Sequence, residues 1–131
     1  QPVNVDIRHC KIKRYPHEAG EQHDYFWYEI VEPLPDGIGM VICDGPPTGI
    51  HGIANNAPMR MGLLPVAQAS LRPNVKILMD DYLKPEQDKV IRSWQNRWDL
   101  SIEVAREKSY PAGWTDSNWT QPYAIVTVPQ P

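Results

Sequence analysis

Two apolar runs in this chain each end in a carboxylate. The run "IGMVICD" ends in Asp44, and the run "VKILMD" ends in Asp80, which Asp81 follows directly. If both runs are neighbouring strands of a parallel sheet, their carboxyl ends lie together at the edge where open α/β sheets bind ligands. Clustered carboxylate oxygens suit Mg²⁺ or Ca²⁺ and do not suit zinc. The sequence therefore predicts a metal site formed by Asp44, Asp80 and Asp81.

A structural interpretation stays open for each of these aspartates. Aspartate is common where a strand turns and where a helix begins, and Asp81 lies just before a helix that Pro85 starts. The histidine nearest to the cluster in sequence is His51, in the long loop after Asp44. An imidazole can act as a general base near neutral pH, so Asp44 and His51 are the candidate catalytic residues, with an ordinary loop histidine as the alternative.

Several other chemistries are excluded because their motifs are missing. The sequence has no G-x-S-x-G nucleophile elbow, no G-x-G-x-x-G or Walker phosphate loop, and no pair of histidines at zinc spacing. Its two cysteines, Cys10 and Cys43, lie in apolar runs without a C-x-x-C partner. This pattern predicts buried, reduced thiols and a cytoplasmic protein.

Hydrophobic periodicity predicts an α/β fold. The closing strands have no helix between them, which predicts an antiparallel pair at one edge of a mostly parallel sheet with helices on its faces. The continuous apolar run at 38–44 is typical of a strand covered on both faces. The predicted order is strand 3–12, short strand 25–32, strand 38–44, helix 62–71, strand 75–80, helix 84–98, strand 100–107 and strand 123–129.

Length and charge limit the class of protein. A chain of 131 residues with 41% hydrophobic residues is most simply a single domain, spanning 1–131. A formal net charge of -3 argues against a nucleic-acid partner, and no apolar stretch reaches the length of a membrane helix. The first residue is Gln1 and not methionine, which indicates a processed product or a piece of a longer protein.

The order of these motifs resembles a known family. The segments "NVDIRHCKI", "YFWYEI", "IGMVICDGPPTG" and "GLLPVAQASLRPNVKILMDDYLKPEQDKVIRSW" look like the second half of a class I S-adenosylmethionine-dependent methyltransferase. The likeness is to the bacterial small-molecule or sugar O-methyltransferases, and it covers residues 3–98. It implies a partial Rossmann-like methyltransferase sheet. It also implies a small-molecule substrate and S-adenosylmethionine as cofactor. Mg²⁺ would be held by Asp44, Asp80 and Asp81. His51 would be the candidate base.

The resemblance also implies what is missing. The chain would start at the family's third strand, without the glycine-rich turn that holds the methyl donor and the acidic residue that binds the donor's ribose. The isolated chain is then expected to be inactive, and either a homo-oligomer or a missing N-terminal half would complete it. The alternative is a non-catalytic binding or assembly module that retains the fold. A phosphoryl-transfer receiver domain fits less well, because its acidic pair comes before the lone aspartate.

Overall fold

The computed structural model describes residues 4–17, 24–46, 59–82, 85–108 and 120–131, which form two sheets and two helices. No helix in this part of the chain combines the length and the hydropathy that a membrane span needs. The elements are β1 Ile12–Tyr15, β2 Tyr25–Tyr28, β3 Ile38–Cys43, α1 Leu63–Ala67, β4 Leu71–Met79, α2 Pro85–Gln95, β5 Ser101–Lys108 and β6 Thr120–Val128.

The larger sheet has the strand order β3-β4-β6-β5. β3 and β4 are parallel, and β6 runs antiparallel to both of its neighbours, so β5 has the same direction as β3 and β4. The predicted α/β class and the antiparallel closing pair are confirmed. The prediction of a mostly parallel sheet is not, because β3 and β4 are the one parallel pair among the described strands and the sheet is mixed. The closing pair is arranged differently from the simplest expectation, because β6 lies inside the sheet. The crossover through α2 places β5 two positions away from β4 in the sheet, and β6 lies between these two strands.

The smaller sheet contains only β1 and β2 among the described residues. They pair antiparallel from Ile12↔Tyr28 to Tyr15↔Tyr25. The strand predicted at 3–12 is wrong over residues 4–11, which have no strand assignment. A segment with alternating apolar and polar residues forms a strand only where it pairs with another strand. β2 has four residues, and Ile12 is the one residue of the predicted strand that pairs with it.

One hydrophobic core covers one face of the larger sheet. Alternate residues of β4 and β6 point into it, and both helices contribute their apolar sides. Trp94 of α2 is fully buried, and its indole Nε1 donates a 2.9 Å hydrogen bond to the main-chain oxygen of Met61. The apolar residues Val90, Ile91 and Trp94 of this helix are therefore part of the core. The central residues of this core are Leu64, Val75, Ile77, Met79, Val90, Ile91, Trp94, Ala124, Val126 and Val128.

The opposite face of β3 is open. Met40 is 60% exposed and Ile42 is 69% exposed, so the prediction that this strand is covered on both faces is wrong. The crossovers β3–α1–β4 and β4–α2–β5 step in the same direction across the sheet. Because such crossovers share one hand, they place their helices on the same face. The other face has no helix in the described part of the chain.

The first helix is shorter than the periodicity predicts. The α-helix spans Leu63–Ala67, a 3₁₀ turn continues it over Gln68–Ser70, and β4 begins directly at Leu71. Pro65 lies in the first turn, where its missing N–H removes no helical hydrogen bond. The predicted helix at 84–98 is confirmed over Pro85–Gln95.

Close contact at Gly62 joins the small sheet to the core. A Cβ atom on Gly62 would lie 2.5 Å from the Cβ of Trp27, a buried residue of β2. The backbone before α1 therefore packs directly on β2, and no other residue type leaves that space free.

We expect Gly62→Ala to lower the free energy of unfolding by about 1–3 kcal/mol, because the added methyl group overpacks the contact with Trp27. Urea denaturation followed by tryptophan fluorescence measures this. Gly39→Ala is the matched control, since its new methyl group would meet the exposed side chain of Arg72, which can move away. Equal stability of the two variants would contradict the proposed packing.

Candidate functional site

Three carboxylates meet at the carboxyl ends of β3 and β4. Asp44 follows β3, and Asp80 and Asp81 follow β4. The parallel register pairs Cys43 with Met79, so the two strands end level with each other. The N–H of Asp80 donates a 3.1 Å hydrogen bond to the carbonyl oxygen of Cys43, which extends the pairing by one residue. The structure therefore brings together the three aspartates that the sequence predicts.

The cluster has the dimensions of a cation site. One carboxylate oxygen from each of Asp44, Asp80 and Asp81 lies within 4.8 Å of the other two. Two ligands on opposite sides of Ca²⁺ are about 4.6–5.2 Å apart, and those of Mg²⁺ are about 4.2 Å apart. Separations below 4.8 Å are compatible with oxygen ligands of Ca²⁺ and with oxygen ligands of Mg²⁺. The donor set of oxygens suits both ions.

The backbone at Asp81 shapes the cluster. Its φ is 53°, a left-handed conformation that aspartate tolerates better than most residues. The chain turns sharply there, immediately after Asp80 has completed the last contact of β4 with β3. This turn keeps two consecutive carboxylates at the same edge of the sheet, where an extended strand would point them to opposite faces.

Arg60 lies buried behind the cluster. Its guanidinium donates through Nη1 to the carbonyl oxygens of Asp80 at 2.6 Å and Cys43 at 3.4 Å. Its Nη2 lies 3.7 Å from Oδ1 of Asp44. One cation thus connects the main chains of both strand ends and faces one of the three carboxylates. Arg60 is 6% exposed, whereas the side chain of Asp44 is 71% exposed.

The turn after Asp44 packs against β2. A Cβ atom on Gly45 would lie 2.9 Å from the hydroxyl oxygen of Tyr28, and burial raises the pKa of that hydroxyl. Cys43 donates from Sγ to the carbonyl oxygen of Gly45 at 3.4 Å, and burial raises the pKa of this thiol too. The turn therefore packs against a neutral hydroxyl group and a neutral thiol. Cys43 is a buried free thiol, as predicted. Cys10 is a free thiol that is only half-buried, so the prediction of a buried thiol is wrong there.

The histidines do not add a described base to the cluster. His51, the predicted candidate, lies outside the described residues. His17 belongs to another group of charges, where its Nδ1 lies 2.6 Å from Oδ1 of Asp24 and Arg14 contacts the second oxygen. These contacts, led by the hydrogen bond from His17, lower the pKa of Asp24 to about 2. No catalytic role for a histidine follows from these contacts.

Sequence reasoning missed Arg60 and Tyr28. The signal for Arg60 was an arginine flanked by two methionines in "PMRMG", because a charged residue inside an apolar segment is buried only with polar partners. Tyr28 carries no such signal, since it is one of several aromatic residues in a short strand. Its place beside Gly45 follows from how the two sheets pack.

Comparison with protein-family models, with curated proteins and with solved structures gives no match to this chain.

We expect Arg60→Met to lower the free energy of unfolding by about 1.5–3 kcal/mol, because the buried carbonyl oxygen of Asp80 loses its charged donor. Asp44→Asn is the matched control. It removes only the exposed ion pair, which contributes at most about 1 kcal/mol. Thermal and urea denaturation measure both variants. A larger loss in Asp44→Asn would show that the ion pair, and not the main-chain contacts, is what Arg60 contributes.

Proposed function

We propose that this chain is part of an S-adenosylmethionine-dependent methyltransferase, acting on a hydroxyl group of a small molecule or sugar, and that its carboxylate cluster binds the divalent cation that assists the reaction. The observation that carries the proposal is the convergence of Asp44, Asp80 and Asp81 within 4.8 Å at the ends of two adjacent parallel strands. In open α/β sheets this is the edge at which ligands bind.

The electrostatics of the cluster favour a cation. Three carboxylates at this spacing repel one another, and the guanidinium of Arg60 lies 3.7 Å from one of them, Asp44. A divalent ion bound among the three would lower this repulsion. Bound there, it would supply a Lewis acid that orients the substrate hydroxyl and lowers its pKa. Asp44, Asp80 and Asp81 would hold the ion, and Arg60 would hold the two strand ends in place.

Two further features support the family proposal. The order of the acids, with Asp44 after one strand and the pair after the next, is the order that the resemblance implies. The resemblance also implies an antiparallel closing pair at the end of the sheet, and β5 and β6 form such a pair.

The methyl donor is a separate question, because this sequence contains no G-x-G-x-x-G turn to receive it. The described residues do not fit S-adenosylmethionine binding in the way that the resemblance implies, and no residue is assigned to that role. A completing segment or partner would have to supply the donor site.

A non-catalytic binding or assembly module is the second candidate. It is favoured by the open apolar face around Met40 and Ile42, which suits contact with another polypeptide. In that case the aspartates would serve the turns after β3 and β4. The two candidates differ in whether the cluster binds a cation.

Calorimetric titration with Ca²⁺ and with Mg²⁺ tests the proposal. We expect binding of one ion per chain with a dissociation constant of about 0.1–1 mM, the range of weak exposed sites. Asp80→Asn should weaken binding at least tenfold. Asp36→Asn, which removes the same charge at the amino end of β3, should leave binding unchanged.

Titration of the cation-loaded chain with S-adenosylmethionine then tests whether this chain binds the methyl donor. Cation binding followed by donor binding supports the methyltransferase. Cation binding without donor binding retains the metal site and assigns the donor site to another segment. If neither ion binds, or if Asp36→Asn and Asp80→Asn are equally weak, the metal-assisted function is refuted.

A further inference from the structure

The main chain of both strand ends holds the guanidinium of Arg60 in place. Its Nη1 donates to the carbonyl oxygens of Asp80 at 2.6 Å and Cys43 at 3.4 Å. A guanidinium is planar and presents its donors in a fixed fork, so these contacts also set the direction of Nη2. The side chain of Arg60 is 8% exposed. Nη2 therefore cannot move towards another group unless Nη1 leaves the strand ends.

The side chain of Asp44 is held much less firmly. It is 71% exposed, whereas Asp80 and Asp81 are half-buried. Its Oδ1 lies 3.7 Å from Nη2 of Arg60, which is an ion-pair distance and is longer than the roughly 2.7–3.2 Å of a hydrogen bond. Asp44 directly follows the paired end of β3, so its main chain is fixed while its carboxylate is free to turn.

The carboxylate of Asp44 also belongs to the acidic cluster. One of its oxygens lies within 4.8 Å of an oxygen of Asp80 and of an oxygen of Asp81. Asp44 thus lies between a buried guanidinium and an acidic pair. In the chain alone, the attraction of Arg60 offsets part of the repulsion that this pair exerts on Asp44.

We propose that Arg60 is the counter-ion of Asp44 in the cation-free chain, that a divalent cation takes Asp44 from it, and that Arg60 thereby restricts the cluster to divalent ions. This inference rests on the proposed cation site and concerns its regulation. Asp44 is the ligand that changes partner, and Nη1 of Arg60 stays on the strand ends. Arg60 is a positioning residue, because it acts on the ion through Asp44.

Charge decides which partner Asp44 keeps. At equal distance, a divalent ion attracts a carboxylate twice as strongly as a guanidinium does, and a monovalent ion attracts it only as strongly. Because Arg60 is already fixed beside Asp44, a monovalent ion gains nothing by replacing it. An exposed ion pair changes an equilibrium constant by at most about fivefold, so the contact with Arg60 does not prevent a divalent ion from binding.

Nitrogen NMR of the Arg60 guanidinium in the full chain tests the exchange of partners. The two Nη groups should give separate signals, because the contacts of Nη1 stop the guanidinium from turning over. Addition of Ca²⁺ or Mg²⁺ should speed hydrogen exchange at Nη2 by up to about fivefold, the effect of losing one exposed ion pair, and should leave Nη1 unchanged. Potassium chloride at equal ionic strength should leave both groups unchanged.

Three variants test the part that each aspartate has in this response. Asp44→Asn removes the charge that faces Nη2, so the cation-free variant should already show the fast Nη2 exchange of the cation-loaded chain. Asp81→Asn keeps that charge and should show slow exchange until more cation is added than the wild-type chain needs. Asp36→Asn, at the amino end of β3, should match the wild-type chain at every cation concentration. Circular dichroism checks that the variants fold.

Two results would overturn the exchange of partners and leave the cation site in place. One is a cation that shifts the amide signals of Asp44 and Asp80 without any change at Nη2. The other is equal Nη2 exchange in the cation-free wild-type and Asp44→Asn chains. A response to K⁺ as large as the response to Ca²⁺ would overturn the restriction to divalent ions. If no ion shifts the amide signals of the cluster, the cation site itself is refuted, and this inference is refuted with it.

Discussion

The parallel register of β3 and β4 is the constraint on which the candidate site depends. Pairing of Cys43 with Met79 places the next residue of each strand at the same level, and the hydrogen bond from Asp80 to Cys43 holds that level. A shift of one residue would turn each side chain after the strands to the opposite face. Arg60 reinforces the register, because its guanidinium binds carbonyl oxygens of both strand ends.

The position of Arg60 explains how an acidic edge coexists with a buried core. A buried guanidinium is costly unless its donors are used. Here they reach two main-chain oxygens and approach one carboxylate, so a single residue satisfies the strand ends and compensates part of the negative charge. Asp80 and Asp81 remain half-buried at the same edge. A cation of the protein itself, the guanidinium of Arg60, therefore supports the cluster from its buried side.

The handedness of the crossovers decides which face of the larger sheet is covered. Both helices lie on the face that carries the core. Met40 and Ile42 of β3 are exposed on the opposite face, where the described part of the chain has no helix.

The sequence by itself determined the class of the fold and the elements with strong local signals. The apolar runs specified β3 and β4, and Pro85 with the stripe around Trp94 specified α2. The aspartates at the strand ends were predictable as neighbours because parallel strands end at a common edge. Local pattern sufficed wherever the deciding interaction lay within one element or followed from a general rule of sheet topology.

Tertiary structure decided the rest. Three features depend on which elements meet in space. β6 lies between β4 and β5, and β1 forms only where β2 pairs with it. Met40 and Ile42 are exposed because no described element covers them. The role of Arg60 depends on contacts with residues about 17 and 20 positions away in the chain. Periodicity reports the faces that a segment can bury. It does not report whether another element arrives to cover them, because that is decided by long-range packing.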